Sequence, residues 1–100
     1  MAAFKRAKDH PEAQGEVDAA LKKATNVPLV VAERAREAAK VLEGLRSITN
    51  PKMASDLTVG IALAGAAVDG ALANVEINLA DLKDEAFVTD VRERVTAVRA

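Results

Sequence analysis

The sequence contains no cysteine, no tryptophan and no tyrosine, and its aromatic residues are two phenylalanines. Without cysteine the chain cannot form a disulfide framework or use a thiol nucleophile. Its single histidine, His10, lies in no recognisable metal or triad pattern, so we expect no metal site and no bound cofactor. This composition does not exclude catalysis by carboxylates and side-chain amides.

The sequence also lacks an excess of either charge, with 14 basic and 15 acidic residues. This balance and the scarcity of aromatic residues argue against a nucleic-acid partner, which needs a basic face or stacking platforms. The longest apolar stretch, from Leu57 to Val68, is shorter than the ~20 residues that cross a bilayer. Since no signal peptide is recognisable, we predict a cytoplasmic protein with no membrane partner.

The composition is strongly helix-favouring, because Ala, Leu, Lys, Arg and Glu fill most positions and no segment alternates like a strand. We predict an all-α fold in which residues 1–100 form a single helical unit, an up-and-down bundle. A chain of this length buries only about two-thirds of its unfolded surface, so it gains stability from a partner subunit.

Three helices follow from the apolar spacing. The first is long, with an expected kink or break near Asn26 and Val27 because Pro28 lacks a backbone donor. Its predicted inner stripe is Leu21, Ala24, Pro28, Val31, Ala35, Ala38, Leu42 and Leu45.

The second helix, from about Met53 to Leu79, is rich in Ala and Gly, which predicts a central helix buried on several sides. Ser55 or Asp56 is a candidate cap for its start. Asp84 begins the last helix, whose predicted inner stripe is Val88, Val91, Val95 and Val98.

Polar residues on the apolar second helix are the candidates for a site. Asn74 and Asn78 are four residues apart and share a face, so they can contact one group jointly. Asp56 points the same way as Asn74 but lies about 27 Å from it along the axis, too far for one reacting centre. Each also has a structural interpretation: Asp56 as a helix cap, the asparagines as interhelical hydrogen bonds. We expect the Asp69 side chain to face solvent or a neighbouring chain.

An ordered series of segments resembles the carboxy-terminal half of the formimidoyltetrahydrofolate cyclodeaminase / methenyltetrahydrofolate cyclohydrolase family. No single segment is specific, but their order and spacing are. The segments are Ala24-Thr25-Asn26-Val27-Pro28-Leu29, Asn50, Ser55-Asp56, Asn74-Val75-Glu76-Ile77-Asn78-Leu79 and Lys83-Asp84-Glu85-Ala86-Phe87.

The resemblance implies an all-helical homodimer of one-carbon metabolism that takes a tetrahydrofolate derivative as substrate. Family members either cyclise the formimino group with release of ammonia or hydrolyse the methenyl bridge, and the sequence leaves both open. Both reactions need positioned proton transfer and stabilisation of an amidinium-like cation, which acids and amides supply without metal. Under this resemblance Asp56, Asn74 and Asn78 are the candidate substrate-binding residues, and no catalytic residue is assigned.

The family also has an upstream Pro-Gly-Gly-Gly-Ser type loop and a proton-handling aspartate, which this sequence does not match. We therefore expect the chain to be the C-terminal half of a catalytic domain with little activity alone. The alternative from another class is a non-catalytic helical assembly or dimerisation module whose polar residues set helix register.

Overall fold

The described residues of the computed structural model, 14–100, are almost entirely helical and contain no strand. Helix α1 spans Gln14–Leu45, a short 3-10 turn spans Pro51–Met53, α2 spans Ala54–Leu79 and α3 spans Glu85–Arg99. The predicted all-α class is confirmed. His10 lies outside the described residues.

Helix α1 continues through Pro28, so the predicted break at this residue is wrong, while the kink stays a prediction. The predicted inner stripe is also wrong in register, since Val31 is 47% exposed and Ala38 is exposed. The side chains that α1 buries are Val17, Leu21, Thr25, Leu29, Ala32 and Ala39. The two stripes share Leu21 and diverge at Thr25, which the sequence pattern reads as polar.

Burial of Thr25 is possible because its hydroxyl is satisfied within the helix. Its Oγ1 donates to the carbonyl oxygen of Leu21 at 2.7 Å, and the residue has no exposed surface. A hydroxyl that donates to the carbonyl four residues earlier leaves no unpaired donor in the core. The core stripe therefore passes through a residue that hydropathy alone excludes.

The turns between helices are closed by local side-chain caps. The Asn50 side chain accepts from the backbone nitrogen of Lys52, and the Asp84 side chain accepts from that of Phe87, which confirms Asp84 as the start of α3. Helix α2 begins earlier than the Ser55 or Asp56 cap would place it, and its own N-cap makes no side-chain bond. The cap interpretation of Asp56 is therefore wrong; its exposed carboxylate lies in the first turn, where the helix dipole favours an acid.

Contacts between distant residues give the helix directions. Gly60 lies against Leu42, and Asn78 contacts Ala24, so α1 and α2 run antiparallel. Lys22 pairs with Asp84 and Glu33 with Arg94, so α3 runs parallel to α1. One apolar cluster joins all three helices where they overlap, and it includes Leu29, Leu72, Val75, Val91 and Val95.

Helix α2 carries an apolar face that no residue of 14–100 covers. Helices α1 and α3 pack against one side of α2 and leave the opposite side open. The apolar spacing of α2 predicts an inner stripe of Leu57, Ile61, Ala64, Val68, Ala71 and Val75; four of these are buried, and Ile61 and Ala64 are half-buried. The expected burial of α2 on several sides is thus not provided by residues 14–100. We call this surface the outer face of α2; its members, spaced three or four residues apart, are Val59, Leu63, Ala66, Gly70, Ala73 and Ile77.

The segment Pro51–Leu79 is long and apolar enough to cross a membrane by length and composition, and 22% of its most apolar window is buried. Core helices of soluble proteins pass the same test, so the finding is weak evidence. The expected absence of a membrane partner stays a prediction.

Candidate functional site

The side of the α1–α2 pair that α3 does not line forms an open groove of about 530 Å³. Its volume lies within the range of small-molecule sites. The lining comes from two helical segments and is largely apolar, with two amides on one rim. The residues are Ala24, Val27, Pro28, Val31, Ala67, Ala71, Asn74, Ile77 and Asn78.

Two of the three predicted site residues, Asn74 and Asn78, line this groove together. They lie one helical turn apart on α2, at the border between the groove and the outer face. Asn74 is exposed and Asn78 is half-buried. Their substrate-binding role stays a prediction.

Asp56 does not line the groove. It lies at the amino-terminal end of α2, separated from Asn74 by about 27 Å of helix. A single compact ligand cannot contact both, as the sequence predicts. Asp69, the fourth polar residue of α2, is exposed and lies beside Arg36 and Arg99 in another depression.

The Asn78 amide joins the two helices. Its Nδ2 donates to the carbonyl oxygen of Ala24 at 3.1 Å. Sequence reasoning placed both asparagines on one face but missed Ala24. A signal existed, because a proline inside a helix leaves the carbonyl four residues earlier without its usual donor, and Pro28 is four residues after Ala24.

None of the residues lining the groove is ionisable. The groove can therefore contact apolar ring surface and form amide hydrogen bonds, but its own lining cannot supply or accept a proton. No group of three or more His, Cys, Asp and Glu side chains within residues 14–100 could hold a metal ion.

The ionised residues gather instead at the seam between α1 and α3. The Arg94 guanidinium donates to both oxygens of Glu33, at 3.0 and 2.6 Å. These hydrogen bonds lower the pKa of Glu33 and raise that of Arg94. Lys22 lies 2.7 Å from the Asp84 carboxylate, and together with the Phe87 backbone donor it lowers the pKa of Asp84. The seam fixes α3 and is separate from the groove.

Fold and groove together define an all-helical protein with a two-helix groove rimmed by amides. The formiminotransferase-cyclodeaminase family model matches residues 1–97, and the chain belongs to this family. The chain is 36% identical to formimidoyltransferase-cyclodeaminase from Sus scrofa over 98% of its length, and 37% identical to that from Gallus gallus over 96%.

The chain spans about a fifth of these relatives, 19% and 18% of their lengths. No solved structure matches the chain significantly. The resemblance stated from the sequence is thus confirmed at the level of family.

Proposed function

We propose that the chain binds a tetrahydrofolate derivative in the groove between α1 and α2, as part of an enzyme of one-carbon metabolism. The reaction is either ammonia-releasing cyclisation to 5,10-methenyltetrahydrofolate or hydrolysis of that methenyl bridge. The observation that carries the proposal is the placement of Asn74 and Asn78 on one apolar groove in a member of this family. A ring system with polar edges matches such a lining.

In this proposal the described groove binds and orients, and the proton is moved by a group outside its lining. Both candidate reactions need general acid–base catalysis, which hydrophobic side chains and amides do not provide. The amides act by placing hydrogen bonds around the ring, and the apolar wall of Val27, Pro28, Val31 and Ile77 excludes water. Asp56 is proposed to contact the far end of a long ligand or to serve a different site.

We further propose that the protein acts in the cytoplasm as a homodimer that covers the outer face of α2. The support is energetic, since Leu63 and Ile77 are 66% and 65% exposed on a face without a charge. Contiguous apolar surface of this kind marks an interaction site.

Titration calorimetry with 5-formyltetrahydrofolate, a stable reduced folate, tests the proposal. Asn74 is exposed and its side chain makes no hydrogen bond within residues 14–100, so Asn74→Ala should leave the fold unchanged and weaken binding about fivefold, the loss of one hydrogen bond. Asn26→Ala is the matched control, because this exposed amide of α1 does not line the groove. Equal affinity of all three proteins would reject the groove as the site.

A non-catalytic assembly module is the second candidate, and the Asn78–Ala24 hydrogen bond favours it, because that bond fixes helix register. Asn78→Ala and Asp56→Ala, made separately, discriminate. If folate binds here, Asn78→Ala lowers affinity, and Asp56→Ala lowers it only for a ligand that spans α2. If Asn78→Ala lowers the unfolding free energy while folate affinity stays constant, the module interpretation is correct.

A further inference from the structure

The groove contains a backbone carbonyl that has lost its helical donor. In an α-helix the carbonyl of residue 24 accepts from the N–H of residue 28. Residue 28 is proline, which has no N–H, yet α1 continues through it. The carbonyl of Ala24 is therefore open to a donor from outside the helix, at a point where Ala24 and Pro28 both line the groove.

Asn78 supplies that donor from α2, 54 residues away in sequence, at 3.1 Å. The orientation of the amide follows from chemistry, because a carbonyl oxygen only accepts and the NH₂ group must face it. Rotating the Asn78 amide by half a turn would place its Oδ1 against the Ala24 carbonyl oxygen, and both atoms are acceptors. The pairing of Pro28 with Asn78 thus fixes which end of the Asn78 amide is used within the protein.

The other end of the amide stays available. Among residues 14–100 no hydrogen bond reaches the Asn78 Oδ1, and the residue is half-buried in the groove wall. A half-buried acceptor at a fixed position favours a ligand that brings an N–H group and penalises one that brings a second acceptor. The Asn74 side chain, one turn away, has no such partner among the described residues, so its amide can rotate to present either its oxygen or its NH₂ group.

We propose that Asn78 is a specificity-determining residue that presents a fixed acceptor to the groove, and that Pro28 is a positioning residue acting through it. The proposal rests on the proposed function and adds which part of the ligand contacts Asn78. The aminopyrimidinone edge of a reduced pterin carries an N–H and an amino group side by side and fits this acceptor. The carboxylates at the other end of a folate are hydrogen-bond acceptors, so they do not fit the Asn78 acceptor.

The first experiment measures the coupling that holds the amide. Asn78→Ala is made in the wild type and in Pro28→Ala, and each protein is unfolded with urea. In the wild type the variant leaves the Ala24 carbonyl unpartnered, whereas in Pro28→Ala the restored N–H serves it. We expect Asn78→Ala to reduce the folding equilibrium constant about fivefold more in the wild type than in Pro28→Ala. Equal reductions in both backgrounds would overturn the positioning role of Pro28.

The second experiment uses two probes, 5-formyltetrahydrofolate and an analogue methylated on ring N3 and on the 2-amino nitrogen. The wild type should prefer the unmethylated probe by about tenfold. Asn78→Ala should reduce this preference below about twofold. Pro28→Ala keeps the Asn78 side chain but weakens its hydrogen bond to the Ala24 carbonyl, so it should reduce the preference by a smaller factor. Asn74→Ala, the matched control, should weaken both probes equally and keep the ratio. A purely structural role of Asn78 would leave the ratio unchanged.

The outcomes separate this inference from the proposed function. If the wild type binds the unmethylated probe but the probe ratio is the same in all variants, the inference is wrong and the folate site stands. If the wild type binds neither probe, the proposed function fails, and with it the ligand part of the inference. The Pro28→Ala variant retains the Asn78 side chain, so it supplies a result even if Asn78→Ala does not fold.

Discussion

At the residue scale, the buried stripe of α1 depends on one side chain, Thr25. Its hydroxyl bonds to the Leu21 carbonyl, which allows Thr25 to be buried in the same stripe as Leu29, while Val31 is exposed. The sequence pattern misplaced the stripe because hydropathy treats Thr25 as polar, whereas Val31 reads as core. Local bonding of a hydroxyl to its own helix is a structural fact that side-chain type alone does not reveal.

The corrected register is tested by a pair of alanine substitutions. Leu29 has no exposed surface, so Leu29→Ala should cost about 2–5 kcal/mol of unfolding free energy by cavity formation. Val31 is 47% exposed, so Val31→Ala should cost less than about 1 kcal/mol. Urea denaturation of both variants measures the two losses of unfolding free energy. A larger loss for Val31→Ala than for Leu29→Ala would contradict the observed register and support the stripe through Val31.

At the element scale, α3 is joined to α1 by ion pairs that sequence reasoning did not find, in addition to the apolar cluster that the two helices share. The start of α3 at Asp84 is a local signal that the sequence shows. The predicted inner stripe of Val88, Val91, Val95 and Val98 also faces the core, with Val88 half-buried and the other three buried. The docking of α3 on α1 through Glu33 and Arg94 joins residues 61 apart, which no spacing rule relates. Likewise the sequence placed Asn74 and Asn78 on one face, but not the Ala24 carbonyl opposite them.

The Glu33–Arg94 pair predicts a pH dependence. The hydrogen bonds from Arg94 lower the folded-state pKa of Glu33, so the pair stabilises the fold above the unfolded value of about 4.3. This contribution is lost as the pH falls through the lower folded-state value. Since both side chains are about one-third exposed, we expect about 0.5–1 kcal/mol.

Urea denaturation of wild type and Glu33→Gln between pH 6 and pH 3 measures this contribution. The variant should be less stable at pH 6, and its stability difference from the wild type should shrink towards pH 3. Glu37→Gln is the matched control, because Glu37 pairs with Arg34 in a fully solvated position and should change stability little at either pH. A difference for Glu33→Gln that does not vary with pH would refute the ionic account of this seam.

At the scale of the whole molecule, the described residues cover only one side of α2. Three helices share a core on the inner side of α2, while its outer face presents a continuous apolar surface. The sequence predicted an apolar helix covered on several sides, and three helices alone cannot cover it. The proposed homodimer would supply the missing cover.

The homodimer is tested by a charge on the outer face. Leu63→Glu should shift the protein towards monomer in sedimentation equilibrium, because a buried unpaired carboxylate is costly. Val41→Glu is the matched control, since Val41 is 64% exposed against 66% for Leu63 but lies on α1 away from this face. If the wild type is monomeric, or if both variants associate like the wild type, the outer face is not a self-association surface.

The central claim is that the amides of Asn74 and Asn78 meet a folate derivative in the groove between α1 and α2. The most direct measurement is a nuclear magnetic resonance titration of ¹⁵N-labelled protein with 5-formyltetrahydrofolate, following the side-chain NH₂ signals of all asparagines. The account predicts saturable shifts of the Asn74 and Asn78 signals, together with the backbone signals of Val27 and Val31, while the Asn26 side-chain signal stays unchanged. Saturable binding that leaves the Asn74 and Asn78 signals in place, or no binding, would contradict it.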